Sequence, residues 1–212
     1  MDIAFADRYS LAVINAATWL QAENPARILE DFYNDTLLTE QQACTAAKLV
    51  VWLGSPEDIR AARDSFWAGF TAWIADKYSL VAANAVKNLA RFCQDAANNP
   101  QVRRVGEGNN LIFRIEVSAL TADMLIDHHH SGYFYEYLAH SLDDISPVCG
   151  EKCQTMTTLG ILPDEINRFL ANIQPRGVDR IVPFGQSMQF SLVWDGYALV
   201  SELTRNIQLV NG

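Results

Sequence analysis

Hydrophobic and polar positions follow two alternating periods along this chain, and the switches between them mark its elements. Leu11-Ala12-Val13-Ile14 is a continuous apolar run, the pattern of a strand buried on both faces. Asn24-Pro25 then supplies a capping side chain and a proline suited to a first helical position. Ile28, Leu29 and Phe32 follow at helical spacing, so a helix is expected over about 25–37. After its lysine, the stretch 48–53 is apolar throughout and stops at Gly54-Ser55-Pro56, which predicts a second buried strand. Ser55-Pro56-Glu57-Asp58 opens the next helix with a cap, a proline and an acidic first turn. Its apolar stripe (Ile59, Ala62, Phe66, Phe70, Trp73 and Ile74) reads as core. A further helix over about 80–97 runs through Val86, Leu89 and Phe92 and places Cys93 in the core. Phe113, Ile115 and Val117 alternate with Arg114 and Glu116, which marks a half-exposed strand. Strands are also expected at 133–138, 154–159 and 180–184, and helices at 163–173 and 197–204. The segment 98–110, rich in Asn and Gly, reads as a surface loop. Strands and helices interleaved in this way predict a three-layer α/β domain with a largely parallel or mixed sheet. No repeat or linker divides residues 1–212.

Composition narrows the partners. The chain has 212 residues, half of them hydrophobic, enough to bury a core of its own. Its formal net charge is −9, so the surface repels phosphate backbones, and neither nucleic acid nor an anionic membrane is expected as a partner. The apolar runs are too short to span a bilayer, and no secretory signal opens the sequence. Four cysteines (Cys44, Cys93, Cys149 and Cys153) do not make a disulfide framework, so a reducing, cytoplasmic setting is expected.

Candidate chemistry centres on Gln41-Gln42-Ala43-Cys44-Thr45-Ala46-Ala47-Lys48. This segment puts a cysteine among small residues between an amphipathic helix and an apolar strand, where a thiol can be presented as a nucleophile. Glu136, between Tyr135 and Tyr137, would by strand periodicity face solvent. Asp127-His128-His129-His130 reads as a solvated loop. Neighbouring histidines on an extended chain point to opposite faces, and a single pair Cys149/Cys153 is weak support for a metal, so no metal site is expected. Glu30, Asp31 and Asp35 form the solvated acidic face of the first helix, and Trp194-Asp195-Gly196 reads as a turn anchored by its indole.

Several stretches together carry a family likeness. They are Gln42-Ala43-Cys44-Thr45, Tyr133-Phe134-Tyr135-Glu136-Tyr137, Ser141-Leu142-Asp143-Asp144, Gln154-Thr155, the tail Gly177-Val178-Asp179-Arg180-Ile181-Val182-Pro183-Phe184-Gly185-Gln186, and Trp194-Asp195-Gly196-Tyr197. The chain resembles the catalytic domain of the aldehyde dehydrogenase superfamily, and within it the C-terminal half of the LuxC-type fatty acyl-CoA reductases. That resemblance implies a catalytic Cys44 that takes an acyl group from a fatty acyl-CoA or other acyl-thioester donor. The acyl-enzyme is then reduced to aldehyde by a nicotinamide cofactor, NADPH. It also implies a homodimer and, for Glu136, a cofactor contact. No Gly-x-Gly-x-x-Gly follows any strand, and the nicotinamide-binding domain that precedes the cysteine domain in such enzymes is absent from residues 1–212. A separately encoded nicotinamide-binding half is therefore a possible partner, and turnover by this chain alone is not expected. The alternative is an interaction or dimerisation module derived from the same fold.

Overall fold

Seven strands make one sheet in the computed structural model, which describes residues 7–99, 101–106, 110–126, 129–205 and 207–209. They are β1 (Tyr9–Asn15), β2 (Ala47–Leu53), β3 (Arg103–Val105), β4 (Phe113–Glu116), β5 (Tyr133–Ala139), β6 (Cys153–Leu159) and β7 (Arg180–Pro183). Their spatial order is β3-β4-β5-β2-β1-β6-β7, with every pair parallel except the edge pair β3–β4. This is the mixed α/β sheet that the interleaved pattern predicts.

Strand alternation feeds a core on each face. Leu11, Val13, Leu49, Val51, Tyr135 and Met156 meet Phe169 of a helix over Pro163–Ile173, together with Leu142, Ile145 and Val148 of a 3-10 segment. On the other face Ala12, Ile14, Val50, Trp52 and Phe134 are covered by α1 (Ala16–Leu20), α2 (Pro25–Asn34) and α3 (Pro56–Ile74). Phe32 of α2 is the hub of that layer, 5.1 Å from the ring of Phe66 and 4.9 Å from that of Phe70. The signals that start these helices act as read: Asn24 accepts from the Arg27 amide at 3.2 Å and Ser55 from the Asp58 amide at 3.1 Å.

The next helix, α4 (Ala82–Asn98), departs from expectation. Val86 and Leu89 are exposed, and so is Cys93, which the sequence placed in the core. Besides Phe92, α4 docks through polar groups. Asn84 donates to the Ser131 hydroxyl and Asn88 to the Ser131 carbonyl, both at 3.0 Å, and Asp95 accepts from the hydroxyls of Tyr133 and Tyr135. The segment 98–110 is not wholly loop, since β3 pairs there as the antiparallel edge. Beyond α5 (Pro163–Ile173) and β7, the expected helix at 197–204 shrinks to α6 (Leu199–Leu203). A hairpin precedes it: β8 (Val193–Trp194) and β9 (Tyr197–Ala198), turned at Asp195 and Gly196 with φ of 50° and 76°. Two positive-φ residues in sequence suit a tight turn between twisted strands. Among the described residues no helix is long and apolar enough to cross a membrane.

Candidate functional site

The N-terminal ends of the parallel strands are irregular, and the irregularity sits where Cys44 enters. Ser10 pairs with Ala47 but Leu11 with Leu49, and Tyr9 pairs with Cys153 but Leu11 with Met156. The neighbouring strands therefore carry extra residues at this end, a device that re-aims side chains. Ser10 bridges both: its hydroxyl donates to the Cys44 carbonyl at 2.7 Å and accepts from the Thr155 amide at 3.1 Å.

Cys44 is half-buried in the loop that leads into β2. Gln41 fixes that loop. It is fully buried with φ of 58°, and its amide nitrogen donates to the carbonyls of Ala47 and Tyr133 at 3.0 and 3.1 Å. Its side-chain oxygen accepts from the amides of Gly132 and Tyr133 at 2.8 and 3.0 Å. One side chain thus satisfies both ends of the β2–β5 junction and locks the cysteine loop to it. A turn from the Ala46 amide to the Ala43 carbonyl, 2.9 Å, folds the loop tightly, and Thr45 reaches Met188 in the tail at 3.0 Å.

Four residues after Cys44, at the start of β2, comes Lys48, the lysine that heads the apolar run. It is 1% exposed, and its Nζ has no hydrogen-bond partner among the described residues. Burial pushes the amine down to about 7, while the nearby charges of Cys44 and Asp7 oppose the fall. His130 stands in the segment before β5, with Nδ1 2.8 Å from the Ser131 hydroxyl. Burial lowers its pKa first, then the positive charges of Lys48 and Lys87. His129 stacks on His130 at 5.3 Å, and burial with that neighbour takes it to about 4. These two histidines are half-buried, not solvated as expected. Asp127 and His128 lie outside the described residues, among which no group of three potential metal ligands occurs.

Glu136 is also placed differently from expectation. It sits fully buried in β5 instead of facing solvent. Its Oε2 accepts from Trp52 and Trp67 at 2.9 Å and from Arg63 at 3.0 Å, and its Oε1 from Arg114 at 2.6 Å. Burial alone would raise its pKa; Arg114 and Arg63 outweigh that and hold it below the ordinary carboxylate range. A ligand reaches this carboxylate only by displacing one of those donors.

Asp35 needs a plain correction. It is not part of a solvated face: it is buried and accepts from the amides of Gly185 and Ser187 at 2.7 and 3.0 Å. Arg180 donates to the Ser187 and Gln189 carbonyls, both at 2.8 Å, Arg8 pairs with Asp179, and Gln154 donates to Asp195. The tail motif is thus a clasp that lays Met188 against the cysteine loop. Of the other cysteines, Cys93 is exposed on α4. Cys149 and Cys153 are sealed in the core, where the hydrogen bond between the Cys153 thiol and Cys149, then burial, raise the Cys153 thiol well above its ordinary value. Gln41 and Lys48 were both inside the segment singled out by sequence, yet neither showed its role. The only available signal was, for Lys48, a lysine at the head of an otherwise apolar run.

No family model matches the chain. No curated protein matches it in sequence. Solved structures do match in shape. One is the Δ-pyrroline-5-carboxylate dehydrogenase of Mycobacterium tuberculosis, with TM-score 0.57 and 11% identity over 83% of this chain and 35% of that one. A second is the methylmalonate-semialdehyde dehydrogenase of Oceanimonas doudoroffii, with TM-score 0.54 and 12% identity over 88% and 40%. A third is the 1-pyrroline-5-carboxylate dehydrogenase of Thermus with bound NAD, with TM-score 0.51 and 10% identity over 88% and 37%. The chain therefore spans 35–40% of the length of these structures and shares an aldehyde-dehydrogenase-like fold with that part of them.

Proposed function

We propose that the chain is a fragment of an acyl-CoA reductase, in which Cys44 accepts a fatty acyl group from coenzyme A as a thioester. The observation that carries this reading is a half-exposed cysteine in a loop pinned by Gln41 and Ser10, side chains with no exposed surface of their own. Packing alone has no use for such rigidity around a sulfur. The Cys44 thiolate adds to the acyl carbonyl, and the backbone N–H of Cys44 is the local donor to the oxygen as it gains charge. The C–S bond to coenzyme A then breaks, coenzyme A leaves as the thiolate, and the acyl group stays on Cys44.

Reduction of that thioester needs a hydride, which bound NADPH would supply. The described residues do not fit a dinucleotide: no glycine-rich strand-to-helix turn is present and the Glu136 carboxylate is already held by Trp52, Trp67, Arg63 and Arg114. No hydride step is therefore assigned to these residues. We assign the cofactor to a further nicotinamide-binding domain or partner, and the NAD in the Thermus neighbour supports a nicotinamide over other donors. Exposed Phe190, Leu192 and Val193 in the tail favour association of two copies, and a module serving only assembly is the second reading. Incubation with dodecanoyl-CoA separates them. The expected result is an intact-mass increase of one acyl group that is absent in Cys44→Ser. No increase, with a dimer by light scattering, would leave only the assembly reading.

A further inference from the structure

An acyl thioester on Cys44 has a second acceptor at hand. The Lys48 side chain is 1% exposed and its amine has no hydrogen-bond partner among the described residues, an arrangement costly to keep unless the group is used. The tight turn at 43–46 folds the loop, and the Cys44 carbonyl is held by Ser10, whose partner across the β1–β2 pair is Ala47, the residue before Lys48. The pairing irregularity at Ala47 and Leu49 falls on Lys48 itself. The charged and titratable groups around the amine are Cys44 in its loop, Asp7 before β1 and His130 before β5.

We propose that Lys48 is an internal acyl acceptor, taking the acyl group from Cys44 by S-to-N transfer when no hydride donor intercepts the thioester. This rests on the thioester reading above and gives it a second exit. In the transfer the neutral Lys48 amine attacks the thioester carbonyl, the C–N bond forms and the C–S bond breaks. The proton lost by nitrogen ends on the Cys44 sulfur, so one thioester and one amine become one amide and one thiol. An exposed lysine is almost wholly protonated at neutral pH and a poor nucleophile. Burial makes a large fraction of this amine neutral. The product is an amide that hydride transfer cannot turn over, so the site limits its own acylated lifetime.

Hydroxylamine distinguishes the two linkages, because at neutral pH it cleaves thioesters and leaves amides intact. The wild-type chain, Lys48→Met, Lys48→Arg and Cys44→Ala are incubated with dodecanoyl-CoA without reductant. Each is treated with hydroxylamine and read by intact mass and peptide mapping. The wild type is expected to keep an adduct that maps to Lys48. Both Lys48 variants are expected to lose that resistant adduct altogether while keeping the labile one on Cys44, and Cys44→Ala is expected to form neither. Lys48→Met removes a buried amine and so favours folding, which keeps the comparison interpretable if Lys48→Arg does not fit. A wild-type adduct that is wholly labile overturns the transfer and leaves the thioester reading standing. A resistant adduct that persists in Cys44→Ala shows direct acylation of Lys48 and overturns the relay. No adduct of either kind on the wild type sinks the thioester reading itself.

Discussion

Glu136 shows how a single side chain can be decisive yet illegible in sequence. A glutamate between two tyrosines on a strand reads as solvent-facing, because nothing local announces that two tryptophans and two arginines converge on it from α3, β2 and β4. With its carboxylate replaced, Arg63 and Arg114 lose the anion that compensates their partial burial. Glu136→Gln is therefore expected to cost about 3–5 kcal/mol at neutral pH, measured by urea unfolding. The sign of its pH dependence follows from a folded-state pKa held below the ordinary value. The stabilisation is complete above about 4.3, where the unfolded carboxylate titrates, and is lost as pH falls from there through the folded value. The wild type and the variant should therefore converge in acid and stay apart between neutral and mildly basic pH. The sequence singled out Cys44 for its place between a helix and a strand, and the structure sets it half-buried in the loop that leads into β2. The burial of Gln41 was not legible, because it depends on partners that arrive from Gly132 and Tyr133, and nothing local marks Lys48 as buried without one.

Elements with strong period and clear punctuation came out as read: β1, β2, α3, β5, β6 and α5 all stand where their apolar runs, caps and prolines put them. The failures share one cause. In α4 the apolar stripe is regular but the buried side is largely polar: Asn88 and Asp95 meet hydroxyls and carbonyls of the β5 segment, so Val86, Leu89 and Cys93 are left outward. At the end of α2, Asp35 looks like one more surface acid until the tail, some 150 residues on in sequence, delivers the amides of Gly185 and Ser187 to it. Asp35→Ala strands both N–H groups, a loss of about 2–4 kcal/mol when buried donors go unpaired. Because the tail element hangs on that carboxylate, the variant should be cut after β7 by low protease concentrations that leave the wild type whole. Equal protection of the two tails would show that Arg180 and Asp179 hold the clasp without Asp35.

For the molecule as a whole, a parallel sheet with bulged strand starts gathers the chemistry at one end. Cys44, Lys48, His130 and the tail clasp lie there, while the opposite ends of the strands carry none of these groups. The interleaved strand and helix pattern predicted that architecture, and shape comparison places it in the aldehyde-dehydrogenase-like fold. Pattern could not show the polar bridges between distant segments that fix the cysteine loop, because hydrophobic periodicity records burial and not partnership. The four cysteines provide an internal control, since Cys93 is the most exposed and Cys149 and Cys153 are sealed. Brief exposure to a limiting amount of dodecanoyl-CoA, followed by mapping of the hydroxylamine-labile acyl group, compares them within one molecule. If the loop presents Cys44 as the acyl acceptor, the label resides on Cys44 and exposed Cys93 stays free. Label on Cys93 in equal or greater amount, or none on Cys44, would contradict it.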